Sequence, residues 1–592
     1  MVDNDYGLKA NVRPEAPTVR APSPAMEWAS DAVAGMLRAL EVPFIALNPG
    51  ASYRGLHDSL VNHLGNERPE IVVCLHEEHA VAVAHGYAKV TGRPMAAGLH
   101  ANVGLMHATM ALFNAFCDRV PLIALGATGP VDAAVRRPWI DWIHTAADQG
   151  ALVRPFVKWD DQPASAAAAV EALARADQLT RTYPSAPVYV CLDAALQESE
   201  LAPGLALPDL ARHRAPAPPE PARADVEAAA AILAAAERPV LLAGRAGRGE
   251  AEWEARVRLA ERLGARVLTD LKAAAAFPAR HPLHAAAPGT FLTPSGGELI
   301  RSADAILALD WIDVGGTLAT AYDGAAPPAR VISCTGDHAL HNGWSKDHFA
   351  LPAVDVNIAA HPDRLVAALL EHGVASVAGG ASGDGAPGVP PPRRRRSGDE
   401  LSLHDLATAL RAALAGRDTC LVRLPLTWDG AELDIAHPLD YLGQDGGAGL
   451  ASGPGMAVGA ALALRGTDRL PVAVLGDGDF LMGATALWTA ARYRLPLLVV
   501  VANNRSYFND EIHQERVARR RGRPVENRWV GQQIRDPDPD LASLARSLGL
   551  RGHGPVTTED VLEAALETAV QEAADGAAVL VDVRVGGAVP AS

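Results

Sequence analysis

Cysteine and aromatic residues are scarce: the 592-residue chain holds five cysteines, and Phe, Trp and Tyr make up 5% of it. Cys74, Cys117, Cys191, Cys334 and Cys420 are scattered, odd in number and form no C-x-x-C pair. They read as small core residues inside strand-like runs, which fits a reducing compartment. Positive charge is also short. The net charge of -16 opposes general nucleic-acid binding, because a phosphate backbone attracts the opposite balance. No apolar run approaches the roughly 18–20 residues needed to span a bilayer. The opening MVDNDYGLKANVRPE has no basic-then-apolar signal pattern. The expectation is a cytoplasmic protein without membrane or nucleic-acid partners.

What is present is ample apolar material, 49% of the chain against 21% charged residues, in a length that predicts three or four domains. Residues 1–26, with Pro14, Pro17, Pro22 and Pro24, read as an extended arm. From 27 to 200, strand-like runs at 42–47, 71–75, 95–99, 121–125 and 188–192 alternate with helical ones. A Pro/Ala-rich linker at 201–224 leads to a second such block, 225–372, with strands expected at 239–243, 266–269, 305–309, 330–333 and 354–358. Residues 373–399, ending in the run Arg393–Arg396, read as a solvated Gly/Pro/Arg-rich linker. The last block, 400–592, has strands expected at 420–424, 471–475, 495–501 and 579–583. Alternation of this kind predicts an α/β protein of three doubly wound parallel-sheet domains.

The chemistry concentrates in the third block. A buried strand delivers Gly476-Asp477-Gly478 into a turn, and the next strand delivers Asn503-Asn504 to the same edge, with Asn504 27 residues after Asp477. An Ala/Leu-rich segment around 484–492 reads as the crossover helix, so both strand ends face the side of a parallel sheet where ligands bind. Mg²⁺ takes oxygen ligands and keeps room for waters and phosphate oxygens. Asp477, the Asn504 amide oxygen and a backbone carbonyl at Ser506 supply three oxygens, and the glycines admit close approach of a diphosphate.

At these residues, GDGDF…VVVANNRSYF, the chain resembles the thiamine-diphosphate enzymes of the acetolactate synthase and benzoylformate decarboxylase type. That resemblance implies a pyrimidine-binding, a middle and a diphosphate-binding domain, with thiamine diphosphate and Mg²⁺ as cofactors. Gly476, Gly478, Asp479 and Asn503 then join the cofactor site, with backbone N–H groups of Gly478 and Asp479 on the diphosphate. It also implies a Glu eight residues before the residue preceding Gly-Tyr-Ala. His85-Gly86-Tyr87-Ala88 puts that position at Glu77 rather than Glu78, as the acid that tautomerises the aminopyrimidine. Asn48-Pro49-Gly50 matches the family's substrate-facing turn, although Ala51 stands where benzoylformate decarboxylases carry Ser, and Ser52 follows one place later. His100, at a strand end, matches a proton-transferring His, a sound role for a side chain that titrates near neutrality. His107 and Asn114, further along the following helix, are candidates for the pocket lining. In GGAGLASGPG, counting back from Pro454 lands on Gly449, which cannot push the cofactor into its bent form. Leu450 can, and is the residue expected there.

The implied reaction is decarboxylation or carboligation of a 2-oxo acid through a thiazolium enamine, in a homo-oligomer with active sites at a dimer interface. Two alternatives stay open: a 2-hydroxyacyl-CoA lyase and a non-catalytic binding subunit. Arg505, Arg516, Arg519, Arg520, Arg521, Arg523 and Arg528 form either a solvated face or a contact to a substrate carboxylate or CoA phosphate. Gly244, Gly247 and Gly249 are a weak nucleotide signal, and FAD is not favoured.

Overall fold

Long apolar runs bounded by turn residues build three parallel sheets, each with helices on both faces. A computed structural model describes residues 16–19, 25–340, 351–375 and 400–586. Most of the expected arm, most of the 373–399 linker and the run Arg393–Arg396 lie outside the described residues.

The first sheet contains β1 (Phe44–Leu47), β2 (Glu70–Val73), β3 (Ala96–Leu99), β4 (Leu122–Thr128), β5 (Asp160–Asp161) and β6 (Pro187–Asp193), in the order β2-β1-β3-β4-β6-β5. The second contains β7 (Pro239–Ala243), β8 (Arg266–Thr269), β9 (Ala305–Leu309), β10 (Arg330–Cys334) and β11 (Val356–Ile358), ordered β11-β10-β9-β7-β8. The third contains β12 (Thr419–Arg423), β13 (Leu470–Gly476), β14 (Leu497–Asn503), β15 (Arg551–Val556) and β16 (Ala578–Arg584), ordered β12-β13-β14-β16-β15. All pairings within the three sheets are parallel, and central strands such as β4 and β14 are buried along their whole length, as sheets covered on both faces require. The two strands not expected from sequence, β5 and β15, are both edge strands. One difference bears on the site: β13 runs straight into the helix Asp477–Gly483, so Asp477 opens a helix rather than sitting in a separate turn.

The first and third sheets share one apolar core. Its centre is the crossing of helix Glu77–Thr91 on helix Ser452–Ala463. The backbones meet without side chains between them: a Cβ on Gly86 would lie 2.1 Å from the Met456 carbonyl oxygen, and one on Gly459 would lie 2.0 Å from that of Val83. Only glycine fits at this contact. The 201–224 segment is laid against the first domain through half-buried Leu201, Leu205, Leu207 and Leu210. All five cysteines are free thiols, four of them buried. Among the described residues no helix is long and apolar enough to cross a membrane.

Candidate active site

The carboxyl ends of β13 and β14 carry one half of the site. Asp477 is buried at the first turn of its helix, and its carboxylate accepts the N–H groups of Gly478 and Ser506, both at 3.1 Å. Burial pushes its pKa up to about 6 against these hydrogen bonds. Among the described residues no cationic side chain pairs with it. Asn504 lies beside it, its Oδ1 accepting the same Ser506 N–H at 3.0 Å. The Ser506 hydroxyl donates to Glu511, which leaves the residue's role to its backbone. Above Gly476 there is open space, whereas a Cβ on Gly478 would strike the Tyr507 ring at 2.5 Å. Asn503 is held by the protein itself. Its amide donates to buried Asp582 at 2.8 Å and accepts the Arg505 N–H at 3.1 Å, and so ties β14 to β16.

Asp479 turns back toward the 445–452 loop. Its carboxylate accepts the Ala451 N–H at 2.8 Å and meets Arg423 Nε at 3.2 Å. Arg423 also pairs with Asp445, which accepts the Ser452 hydroxyl at 2.7 Å. This buried network, unforeseen in the sequence, fixes the loop that carries Leu450. Leu450 is 37% exposed, while Gly449 is pressed against the first domain, where a Cβ would meet Met110 at 2.4 Å. Asn114 is fully buried there and accepts the Gly449 N–H at 3.4 Å.

The other half lies at the carboxyl ends of three adjacent strands. Asn48-Pro49-Gly50 follows β1, His76-Glu77 follows β2 and His100 follows β3. Glu77 is buried at the first turn of its helix. Burial alone raises its pKa, yet hydrogen bonds from His107, its own backbone and Asn48 outweigh burial and hold it below the ordinary value. The His107 Nδ1 lies 3.0 Å from Glu77 Oε2. His100 packs so closely on the turn that a Cβ on Gly50 would fall 2.4 Å from its ring. Ser52, rather than position 51, reaches it: Ser52 Oγ is 2.9 Å from His100 Nδ1 and accepts the Ala101 N–H at 3.1 Å. The His144 ring stands edge-on to His100 at 4.7 Å, and burial together with His144 lowers the His100 pKa. His144 and His76 were missed in the sequence because neither lies in a motif.

The arginines after Asn504 divide. Arg519 and Arg528 pair with Glu515, and Arg505 pairs with Glu400 and Asp538. Arg516, Arg520, Arg521 and Arg523 are exposed. Gly247 and Gly249 rim a cavity of about 530 Å³ at the junction of the three domains, lined also by Lys89, Arg119, Arg245, Arg248 and Lys272.

Comparison with known families decides what this arrangement belongs to. Residues 27–152 match the N-terminal TPP binding domain of thiamine pyrophosphate enzymes, 226–351 the central domain and 427–583 the C-terminal TPP binding domain. The chain belongs to the thiamine pyrophosphate enzyme family. The benzoylformate decarboxylase of Pseudomonas aeruginosa is 28% identical over 84% of this chain and 89% of that protein. The acetolactate synthase large subunit of Corynebacterium glutamicum is 26% identical over 94% of this chain and 88% of its own length. A probable 2-ketoarginine decarboxylase of Pseudomonas aeruginosa is 30% identical over 43% of each chain. The benzoylformate decarboxylase structure from Polynucleobacter necessarius superposes with a TM-score of 0.78 at 20% identity, covering 96% of this chain and all of that one. At that identity it speaks for the fold.

Thiamine diphosphate is thus the cofactor of this thiamine pyrophosphate enzyme, and the residues present fit it. A buried carboxylate held at about 6 with only backbone donors around it suits a divalent cation, and the open space over Gly476 suits a diphosphate. Glu77 supplies a buried acid on the facing sheet.

Proposed function

We propose that the protein is a thiamine-diphosphate- and Mg²⁺-dependent enzyme that decarboxylates a 2-oxo acid and delivers the acyl fragment to a proton or a second carbonyl, in the manner of acetolactate synthases. The observation that carries this reading is the convergence of buried Glu77, the Asn48-Pro49-Gly50 turn and His100 at one sheet edge. Asp477, the Asn504 amide oxygen and the Ser506 carbonyl would hold the cation, and the N–H groups of Gly478 and Asp479 would hold the diphosphate. When bound, the cofactor supplies an electron sink for the carbon that loses CO₂.

The chain's own residues do the rest. Glu77 holds and returns a proton at a pyrimidine nitrogen, a task for a buried carboxylate with a fixed rotamer. Leu450, on its braced loop, would offer an apolar contact to the cofactor. Ser52 occupies His100 Nδ1 and so leaves Nε2 to handle the product proton. The Asn48-Pro49-Gly50 turn, rigid beside the His100 ring, orients the 2-oxo acid. Glu77 from one subunit and Asp477 and Asn504 from its partner form each site, in a cytoplasmic dimer or a tetramer of such dimers.

The test is CO₂ release from a panel of 2-oxo acids with added cofactor and Mg²⁺, with mass analysis of products. Turnover of at least one acid is expected. An aldehyde product names the decarboxylase branch and an acyloin the carboligase branch. A panel without turnover, by protein that still binds the cofactor, contradicts the reading. A second reading, a 2-hydroxyacyl-CoA lyase, is favoured by one observation: the interdomain cavity gathers Arg119, Arg245, Arg248 and Lys272. Thermal stabilisation by CoA, lost on Arg248→Ala, supports it, and a melting curve unmoved by CoA removes it.

A further inference from the structure

Glu77 is flanked by histidines from two helices. His107 lies at the end of the second turn of helix Ala101–Cys117, with Nδ1 3.0 Å from Glu77 Oε2. Its ring stacks on that of His76, with centroids 4.6 Å apart and planes within 22°. His76 is itself fixed as the N-cap of the Glu77 helix, its Nδ1 accepting the Glu78 N–H at 3.2 Å. One turn before His107, Gly104 leaves the space that the carboxylate fills: a Cβ there would come within 3.0 Å of Glu77 Cγ and Oε1. An ionised carboxylate only accepts, so His107 Nδ1 carries the proton in this contact.

We propose that His107 is a positioning residue for Glu77: its Nδ1–H occupies one carboxylate oxygen and thereby presents the other to the pyrimidine ring. This rests on the reading of Glu77 given above. The remaining titratable groups facing the carboxylate are His76, His79, His100 and Tyr53, while its chain neighbour Glu78 faces Asp479 and His107. Burial lowers the pKa of His76, His79 and His100, with His79 brought to about 4, so these three present neutral rings near pH 7. Tyr53 is pushed up by burial, and Glu78 likewise. Of the hydrogen bonds that hold the acid's pKa down, the one from His107 is the largest, ahead of those from its own backbone and Asn48.

The experiment loads the full-length wild type, His107→Phe, His107→Leu, His107→Asn and Glu77→Gln with thiamine diphosphate and Mg²⁺. It reads the near-ultraviolet circular dichroism of the bound pyrimidine across pH, beside cofactor affinity and melting temperature. Loss of a donor to a carboxylate lets it take a proton more readily. Phe and Leu should therefore move the acid limb of the signal up by about one pH unit, with affinity and melting little changed. Asn, which can donate, should restore the wild-type limb. Acid limbs that coincide for wild type, Phe and Leu overturn the proposal, as does an Asn variant shifted as far as Phe. If wild type binds cofactor but its pyrimidine signal survives Glu77→Gln, the parent reading of Glu77 falls, and this proposal with it.

Discussion

On the function proposed above, Asp477 is the side chain on which the cofactor half of the site depends. Its folded pKa of about 6 lies above the ordinary 3.8, so the protonated form is the one the fold prefers. The stability it contributes is complete below about pH 4 and is lost as pH rises through 6, a change on the order of 3 kcal/mol. On that proposal, a divalent cation would reverse the sign by taking the ionised form and releasing the proton. The cofactor-dependent affinity for Mg²⁺ should fall about tenfold per pH unit below 6. Asp477→Asn should abolish that dependence while melting no lower than the metal-free wild type at pH 7.5. Calorimetric titration from pH 5 to 7.5 checks it, and a flat profile contradicts it. At the same scale, the sequence made Asp477, Asn504 and Glu77 legible because each sits in a short motif at the end of an apolar run. For Asn503, the sequence shows that it borders the site but not that Asp582, on a strand 79 residues away, accepts its amide. His144 and Arg423 were invisible for the same reason: their roles come from contacts distant in sequence.

At the scale of elements, the crossing of Glu77–Thr91 on Ser452–Ala463 ties the first and third domains of one chain together. The first helix begins with Glu77 and the second follows the Leu450 loop, so their separation displaces both. Gly86→Val places atoms where the Met456 carbonyl stands and should destabilise the protein by on the order of 3 kcal/mol, with weaker cofactor binding. Thermal melts with and without cofactor read both effects, and a variant that melts and binds like wild type contradicts the account. The strands show what apolar pattern can and cannot announce. β7, β8 and β9 match their expected bounds because each is a Val/Leu/Ile-rich run closed by Gly, Asp or Arg. β15 escaped notice because Arg551–Val556 reads RGHGPV, with a single buried residue. It is a strand through pairing with β16, not through its own composition.

At the scale of the whole molecule, exposed apolar residues cluster in sequence around both halves of the site. Leu75 and Met106 each adjoin a histidine flanking Glu77, Leu450 lies on the cofactor loop, and Met482 is on the Asp477 helix; they are between 37% and 55% exposed. Trp139 and Trp142, 69% and 73% exposed, precede His144. Exposed apolar side chains at these places suit the proposal that a second copy covers the site. The measurement that tests this most directly mixes two inactive variants, Glu77→Gln and Asp477→Asn, after dissociation and reassembly. If Glu77 of one chain works with Asp477 of its partner, half the random dimers are mixed and each holds one intact site, so activity should return to about a quarter of wild type. Two folded, inactive variants that regain nothing on mixing would place the site within a single chain. Activity in either variant alone would remove that residue from the chemistry.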